Sequence, residues 1–311
     1  MSAFFSRGVR LSLSAAVVGA AALVLGAACG GDDGGDSGKV QVVTTLPLFA
    51  DFVREVGGDR VEVTSLVPAG ADPHTFEPSP SDVKKVAQAD IAFANGLDLE
   101  PSAEKLIEAN LPDEARFVRL AIALDPAVKL PPSPNPDPHL WMEPIPAKRY
   151  VEVVRDALKQ VDAAGADIYD ANAKAYLGTL TEMFDDISQI IKSVPEEKRK
   201  LVTTHDAFGR FASAFGLQIV AVVIHGPGQE PSPEDVANLT RAIKDQAVPA
   251  VFREPQIDAE GRILEQAAKD AGVQVCTLYS DSLDDRVTSY IEMMRFNADE
   301  IARCLGGDSD G

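Results

Sequence analysis

An α/β fold of two lobes, each built on a parallel sheet and the pair joined by one long rigid helix, is what three features of the chain predict. Strand-like and helix-like segments alternate, a set of phrases recurs in the same order in the second half, and an unbroken helical stripe runs between the halves. Val42-Val43-Thr44-Thr45 returns as Leu201-Val202-Thr203-Thr204, and Ile91-Ala92-Phe93 returns as Ala250-Val251-Phe252. Glu77-Pro78-Ser79-Pro80-Ser81-Asp82 returns as Glu230-Pro231-Ser232-Pro233-Glu234-Asp235. At 311 residues the chain is also long enough to bury two cores.

The elements follow in order. Residues 40–44 form an apolar, β-branched run that predicts a strand, 49–56 a helix, 61–67 a second strand, 82–88 a helix and 91–93 a third strand. The second half repeats this with strands over 201–203 and 218–224, helices over 207–215 and 234–244, and a strand over 250–252. Proline stands just before or inside the start of the second helix in each half, where its fixed φ and missing N–H suit the first turn. Further on, residues 274–277 predict a strand and a helix runs to Leu305. Between the halves, Ile168, Tyr176, Leu180, Met183, Phe184, Ile187, Ile190, Ile191 and Val194 give an apolar stripe at helical spacing. One helix over 166–193 accounts for it, and at 1.5 Å per residue it would run about 42 Å. The first lobe is therefore expected over residues 39–165, the linking helix over 166–193 and the second lobe over 194–311.

Residues 1–28 read as a signal segment: Arg7 and Arg10 precede an apolar run that ends at Cys29. Leu25-Gly26-Ala27-Ala28-Cys29 resembles a bacterial lipobox, with Gly26 where the motif usually has Leu. On that reading Cys29 carries a lipid, and the Gly/Asp-rich residues 29–38 are a flexible tether to the membrane. An ordinary cleaved signal and a single membrane anchor are the other readings of the same run. Cys276 and Cys304 then remain, and outside the cytoplasm an even pair points to a disulfide, with two buried thiols as the alternative. A net charge of −19 excludes a nucleic-acid surface and is compatible with attraction of cations.

The chemistry is carried by histidine, of which there are four. Asp72-Pro73-His74 and Asp137-Pro138-His139 are the same tripeptide, and His205 follows the repeated Thr203-Thr204. Spacings of 65 and 66 residues require tertiary structure to bring the three together, unlike the short spacing of a zinc finger. Neutral imidazole favours Zn²⁺, Cu²⁺, Ni²⁺ or Fe²⁺ over Ca²⁺ and Mg²⁺.

These segments resemble the metal-binding lipoproteins of bacterial ABC importers, the zinc and manganese group called ZnuA/TroA-like or cluster A-I solute-binding proteins. The resemblance runs from about residue 40 to the C-terminus and rests on several ordered motifs. They are Gly70-Ala71-Asp72-Pro73-His74-Thr75-Phe76-Glu77-Pro78, Asp137-Pro138-His139-Leu140-Trp141-Met142, Thr204-His205-Asp206-Ala207-Phe208, Phe252-Arg253-Glu254-Pro255-Gln256, Asp281-Ser282-Leu283 and Tyr290-Ile291-Glu292-Met293-Met294. It implies metal ligation by His74, His139, His205 and Asp281, with Asp284, Asp285 and Glu254 as rival carboxylates for the fourth place. His225 matches His74 roughly in position, but the family does not use it as a ligand. Zinc is the implied cargo, since manganese members typically carry an acidic residue where this chain has His205. The histidine-rich loop of many zinc members is replaced here by prolines over 131–136. The implied protein is no enzyme: it is an extracytoplasmic monomer, lipid-anchored to the cell membrane, that binds no nucleic acid and hands Zn²⁺, or alternatively Mn²⁺, to a cognate permease and its ATPase. The rivals from other classes are a zinc-dependent extracytoplasmic hydrolase, for which His-Glu-x-x-His is absent, and an adhesin or chaperone with a structural metal.

Overall fold

Parallel strands need covered crossovers, and every strand-to-strand connection here supplies them. The structure, a computed structural model, describes residues 38–124, 136–224, 226 and 231–306. The expected signal segment, Cys29, nearly all of the tether, most of the proline loop and His225 lie outside the described residues. Lobe one contains β1 (Val40–Thr44), α1 (Pro47–Gly57), β2 (Val61–Ser65), α2 (Pro80–Ala87), β3 (Ile91–Ala94), α3 (Pro101–Asn110), β4 (Arg116–Arg119) and α4 (Pro144–Val161). Next comes α5 (Ala166–Ser193), the long helix. Lobe two contains β5 (Lys200–His205), α6 (Gly209–Phe215), β6 (Gln218–Ile224), α7 (Pro233–Asp245), β7 (Ala250–Arg253), α8 (Asp258–Ala271), β8 (Gln274–Thr277) and α9 (Tyr290–Leu305).

The two sheets have the same order, β2-β1-β3-β4 and β6-β5-β7-β8, and all pairings are parallel. The repeated Thr-Thr phrase does the same work in both. Thr44 donates its hydroxyl to the carbonyl of Leu46 at 3.1 Å, and Thr203 donates to the carbonyl of His205 at 2.9 Å. Each turns the chain at a strand's carboxyl end, where ligands bind in such sheets. The repeated Ser-Pro phrase caps α2 and α7 by a reciprocal bond pair between Ser79 and Asp82 and between Ser232 and Asp235.

The structure adds α3, α4, α8 and β4 to the elements read from the sequence and shifts one residue of the apolar stripe. β4 was not expected: Arg-Phe-Val-Arg is short and half polar, as suits an edge strand. Ile168, assigned to the apolar stripe, is 44 % exposed, and Tyr169 takes the buried face at that end of α5 while donating to Asp162 at 2.5 Å.

Leu180, Met183, Ile187 and Ile191 of α5 lie in one apolar cluster with Phe49 and Phe52 of α1, Tyr150 and Val154 of α4, and Met293 and Ile301 of α9. The helix is thus a shared core element, so the lobes meet on a common apolar surface. Outer faces are covered separately, by α2 and α3 in lobe one and α7 and α8 in lobe two. Among the described residues no helix is long and apolar enough to cross a membrane.

Cys276 of β8 and Cys304 of α9 are joined in a disulfide across 28 residues of sequence. Replacing both by Ser is expected to lower stability by about 3–4 kcal/mol on the chain-entropy model. The denaturation midpoint reads the loss, and a thiol count on unfolded, unreduced protein should find neither cysteine reactive.

Candidate metal centre

Asp72 and Asp137 build the same turn. Asp72 Oδ1 accepts from the backbone N–H of His74 at 3.0 Å, and Asp137 Oδ1 accepts from that of His139 at 3.0 Å. The proline between them fixes φ, so each tripeptide presents its histidine in a preset direction. His74 lies beyond β2, His139 precedes the short turn Leu140–Met142 that leads towards α4, His205 ends β5, and Asp281 lies beyond β8. Four widely spaced segments therefore converge from strand carboxyl ends. Across the lobes, Gly70 has φ +80°, and its N–H donates to the carbonyl of Leu283 at 2.8 Å. That bond ties the His74 loop to the Asp281 loop.

His74, His139, His205 and Asp281 form one cluster, with a ligand atom from each within 4.8 Å of the others. The three rings stand edge to face, with centroids 5.3–5.7 Å apart. Nε2 of His74 lies 3.7 Å and Nε2 of His205 lies 3.2 Å from Asp281 Oδ2, and Nε2 of His139 lies 3.5 Å from Oδ1. Those three nitrogens and both carboxylate oxygens are buried without a hydrogen-bond partner among the described residues. A tetrahedral shell with bonds of about 2.0–2.1 Å has edges of about 3.3 Å, close to these separations. The donor set fits a small divalent cation of borderline softness.

The histidines are backed differently. Glu254, fully buried, places Oε2 2.8 Å from Nδ1 of His205, accepts from the His205 N–H at 3.1 Å and accepts from the Ser280 hydroxyl at Oε2. Asp137 Oδ1 meets Nδ1 of His139 at 2.8 Å. Nδ1 of His74 has no partner among the described residues. Charge follows this pattern. Burial pushes the His74 imidazole below the usual histidine range, with Asp281 opposing. Burial also disfavours the charged form of His205, but Glu254 and Asp281 outweigh it and hold that ring well above the usual range. Burial works against ionised Asp281 too, yet His139, His205 and His74 together keep its carboxyl well below the usual range.

Of the rival carboxylates, Asp284 accepts from the Tyr279 hydroxyl at 2.7 Å and from backbone N–H groups, Asp285 is exposed, and Glu254 stands behind His205 rather than beside Asp281. The sequence reading weighed Glu254 only as a fourth ligand. Its role behind His205 has no local signal, because the two residues meet only when β5 and β7 pair. A cavity of about 290 Å³ opens onto His74 and His205 and is lined also by Asp72, Gln256, Asp258 and Glu260. Acidic groups at a cation's approach raise its local concentration.

The family model for zinc-uptake complex component A, periplasmic, matches residues 42–304. The manganese-binding lipoprotein MntA of Halalkalibacterium halodurans is 32% identical over 289 residues, covering 91% of this chain and 95% of that protein. The iron-binding protein YfeA of Yersinia pestis is 32% identical over 272 residues, covering 86% and 87%. The periplasmic zinc binding protein TroA from Treponema pallidum superposes with a TM-score of 0.80 at 27% identity, over 86% of this chain and 99% of that one.

In the metal-free protein the His205 ring is expected to titrate well above the usual midpoint of about 6.5, and Asp281→Asn to bring it down. An NMR titration of the ring protons measures both; a normal midpoint in the unsubstituted chain would contradict the electrostatic account.

Proposed function

Because the chain belongs to the family of periplasmic component A of zinc-uptake complexes, a family of solute-binding proteins and not of enzymes, we propose that it captures Zn²⁺ outside the cytoplasm and delivers it to an ABC importer. Divalent metal binding is the coarser function its relatives share, and they are named for manganese, iron and zinc. The choice of zinc and the ligand set His74, His139, His205 and Asp281 are the finer reading. One observation carries it: three imidazole nitrogens converge with a carboxylate in a buried cluster at tetrahedral-edge distances. Three nitrogens and one carboxylate make a closed shell of the kind zinc prefers. The two positive charges of the ion are opposed by Asp281 in the shell and by Glu254 and Asp137 behind His205 and His139. Four protein ligands leave no position for an attacking water, which separates this arrangement from a hydrolase.

On this reading the metal enters through the cavity at His74 and His205, and the loaded protein docks on a cognate permease driven by its ATPase. A lipid on Cys29 would hold it, as a monomer, near that permease; several relatives are named as lipoproteins. The site test is direct. His139→Ala should weaken zinc binding at least tenfold while the metal-free fold persists, because one bond of four is lost from a site between stable lobes. Zinc titration of both proteins reads it, and equal affinities would remove His139 from the ligand set.

Protons compete with the metal, and the sign follows from the histidines. His74 is already neutral near pH 7, whereas His205 retains its proton above the usual range and must lose it on binding. Zinc binding at pH 7 should release protons, and affinity should fall as pH drops from about 8 towards 5. Calorimetry in buffers of different ionisation enthalpy measures the release; a pH-independent affinity would indicate an oxygen-only site.

Metal choice rests on His205. His205→Glu gives two nitrogens and two carboxylates, a harder shell that suits Mn²⁺ better. The new carboxylate would face Glu254, so Glu254→Gln should accompany it to avoid two like charges in one pocket. Competition titration should show the zinc-to-manganese affinity ratio falling, and an unchanged ratio would assign the choice to lobe geometry.

A further inference from the structure

Arg210 lies on α6 in lobe two and reaches into lobe one. Its Nη1 donates to Glu143 Oε2 at 2.8 Å, and its Nε lies 3.3 Å from Asp137 Oδ2. The side chain is only 13% exposed. The two carboxylates bracket His139 in sequence: Asp137 makes the turn that holds it, and Glu143 immediately precedes α4. Between them Leu140, Trp141 and Met142 are fully buried. One guanidinium therefore grips both ends of the segment that carries a lobe-one ligand. It does so from the first turn of α6, the helix that follows β5 and its terminal His205.

We infer that Arg210 is a positioning residue for metal retention, which staples residues 137–143 to lobe two and thereby slows release of the bound ion. This rests on the metal-binding reading above. Other bonds cross between the lobes, among them Trp141 Nε1 to the carbonyl of Ser280 at 3.0 Å and the Tyr290 hydroxyl to the carbonyl of Trp141 at 2.6 Å. Those are neutral and lie within the core, whereas Arg210 makes a charge-assisted hydrogen bond to Glu143 and an ion pair with Asp137, on either side of His139. A planar fork can hold two carboxylates on different edges, which the single ammonium of Lys does less well.

Two effects of removing Arg210 have opposite signs. Loss of a positive charge near the site would favour the bound cation and slow its release. Loss of the staple would free the His139 segment and speed it. Asp137 is already held on the backbone N–H and ring of His139, so its support of that ring survives without Arg210. What disappears is the bond between lobes, and the structure favours faster release.

The test uses the full mature chain loaded with one equivalent of zinc and chased with excess chelator. Arg210→Gln should release zinc about tenfold faster, the lower end of the cost of losing an outer-shell partner. Arg210→Lys should fall between it and the unsubstituted chain. Glu143→Gln should also quicken release, and the double variant Arg210→Gln/Glu143→Gln should be no faster than Arg210→Gln alone. A purely structural role would lower the melting temperature of the metal-free protein and leave the release rate of the Lys variant unchanged. Release at or below the unsubstituted rate in Arg210→Gln, or additive effects in the double variant, would overturn the staple. If the unsubstituted chain fails to retain zinc at all, the fault lies with the metal-binding reading and not with Arg210.

Discussion

The Asp281 carboxylate is the constraint around which the molecule is arranged. It is fully buried, and neither oxygen has a hydrogen-bond partner among the described residues. Removing an ion from water without a partner costs several kcal/mol even after relaxation, roughly enough to offset much of a domain's net stability. Three imidazoles from three other segments surround it, and a cation held among them would satisfy all five orphaned atoms together. Each of those segments needs a strand end to stand on, and two sheets are needed to bring them in from opposite sides.

The outer groups divide the work unequally. His205 leans on Glu254, which is itself fixed by Ser280 and by the His205 N–H. His139 leans on Asp137, and His74 alone of the three has no carboxylate paired with its second nitrogen among the described residues. Outer partners fix tautomer and ring direction, so the three imidazoles are not held with equal stiffness. The loosest of them lines the cavity that leads outward.

The long helix sets how the lobes relate to each other. A flexible linker would let them separate, whereas α5 contributes buried side chains to a core shared with α1, α4 and α9. Moving one lobe against the other would expose that apolar surface or shear close-packed side chains. Together with the bonds at Gly70 and Trp141 this ties the two lobes to each other.

Period and repetition were legible because they are local. The stripe of α5, the Ser-Pro helix starts, the Thr-Thr strand ends and the twin Asp-Pro-His turns each arise from residues within a few positions of one another. The even cysteine pair pointed to the disulfide that the structure contains. The four clustered residues were nameable from motifs, but no spacing in the chain could place them within one another's reach. The β4 edge strand was missed because two arginines mask its pattern, and Ile168 was misassigned because helical periodicity cannot tell which flank of a wide stripe meets the core. Glu254 behind His205 and Arg210 against Asp137 and Glu143 belong wholly to tertiary structure. Sequence by itself determines backbone conformation and the direction a short turn presents, since these depend on neighbours along the chain. Which carboxylate supports which imidazole depends on β5 pairing with β7 and on α6 packing against the other lobe, and those distances exist only after folding.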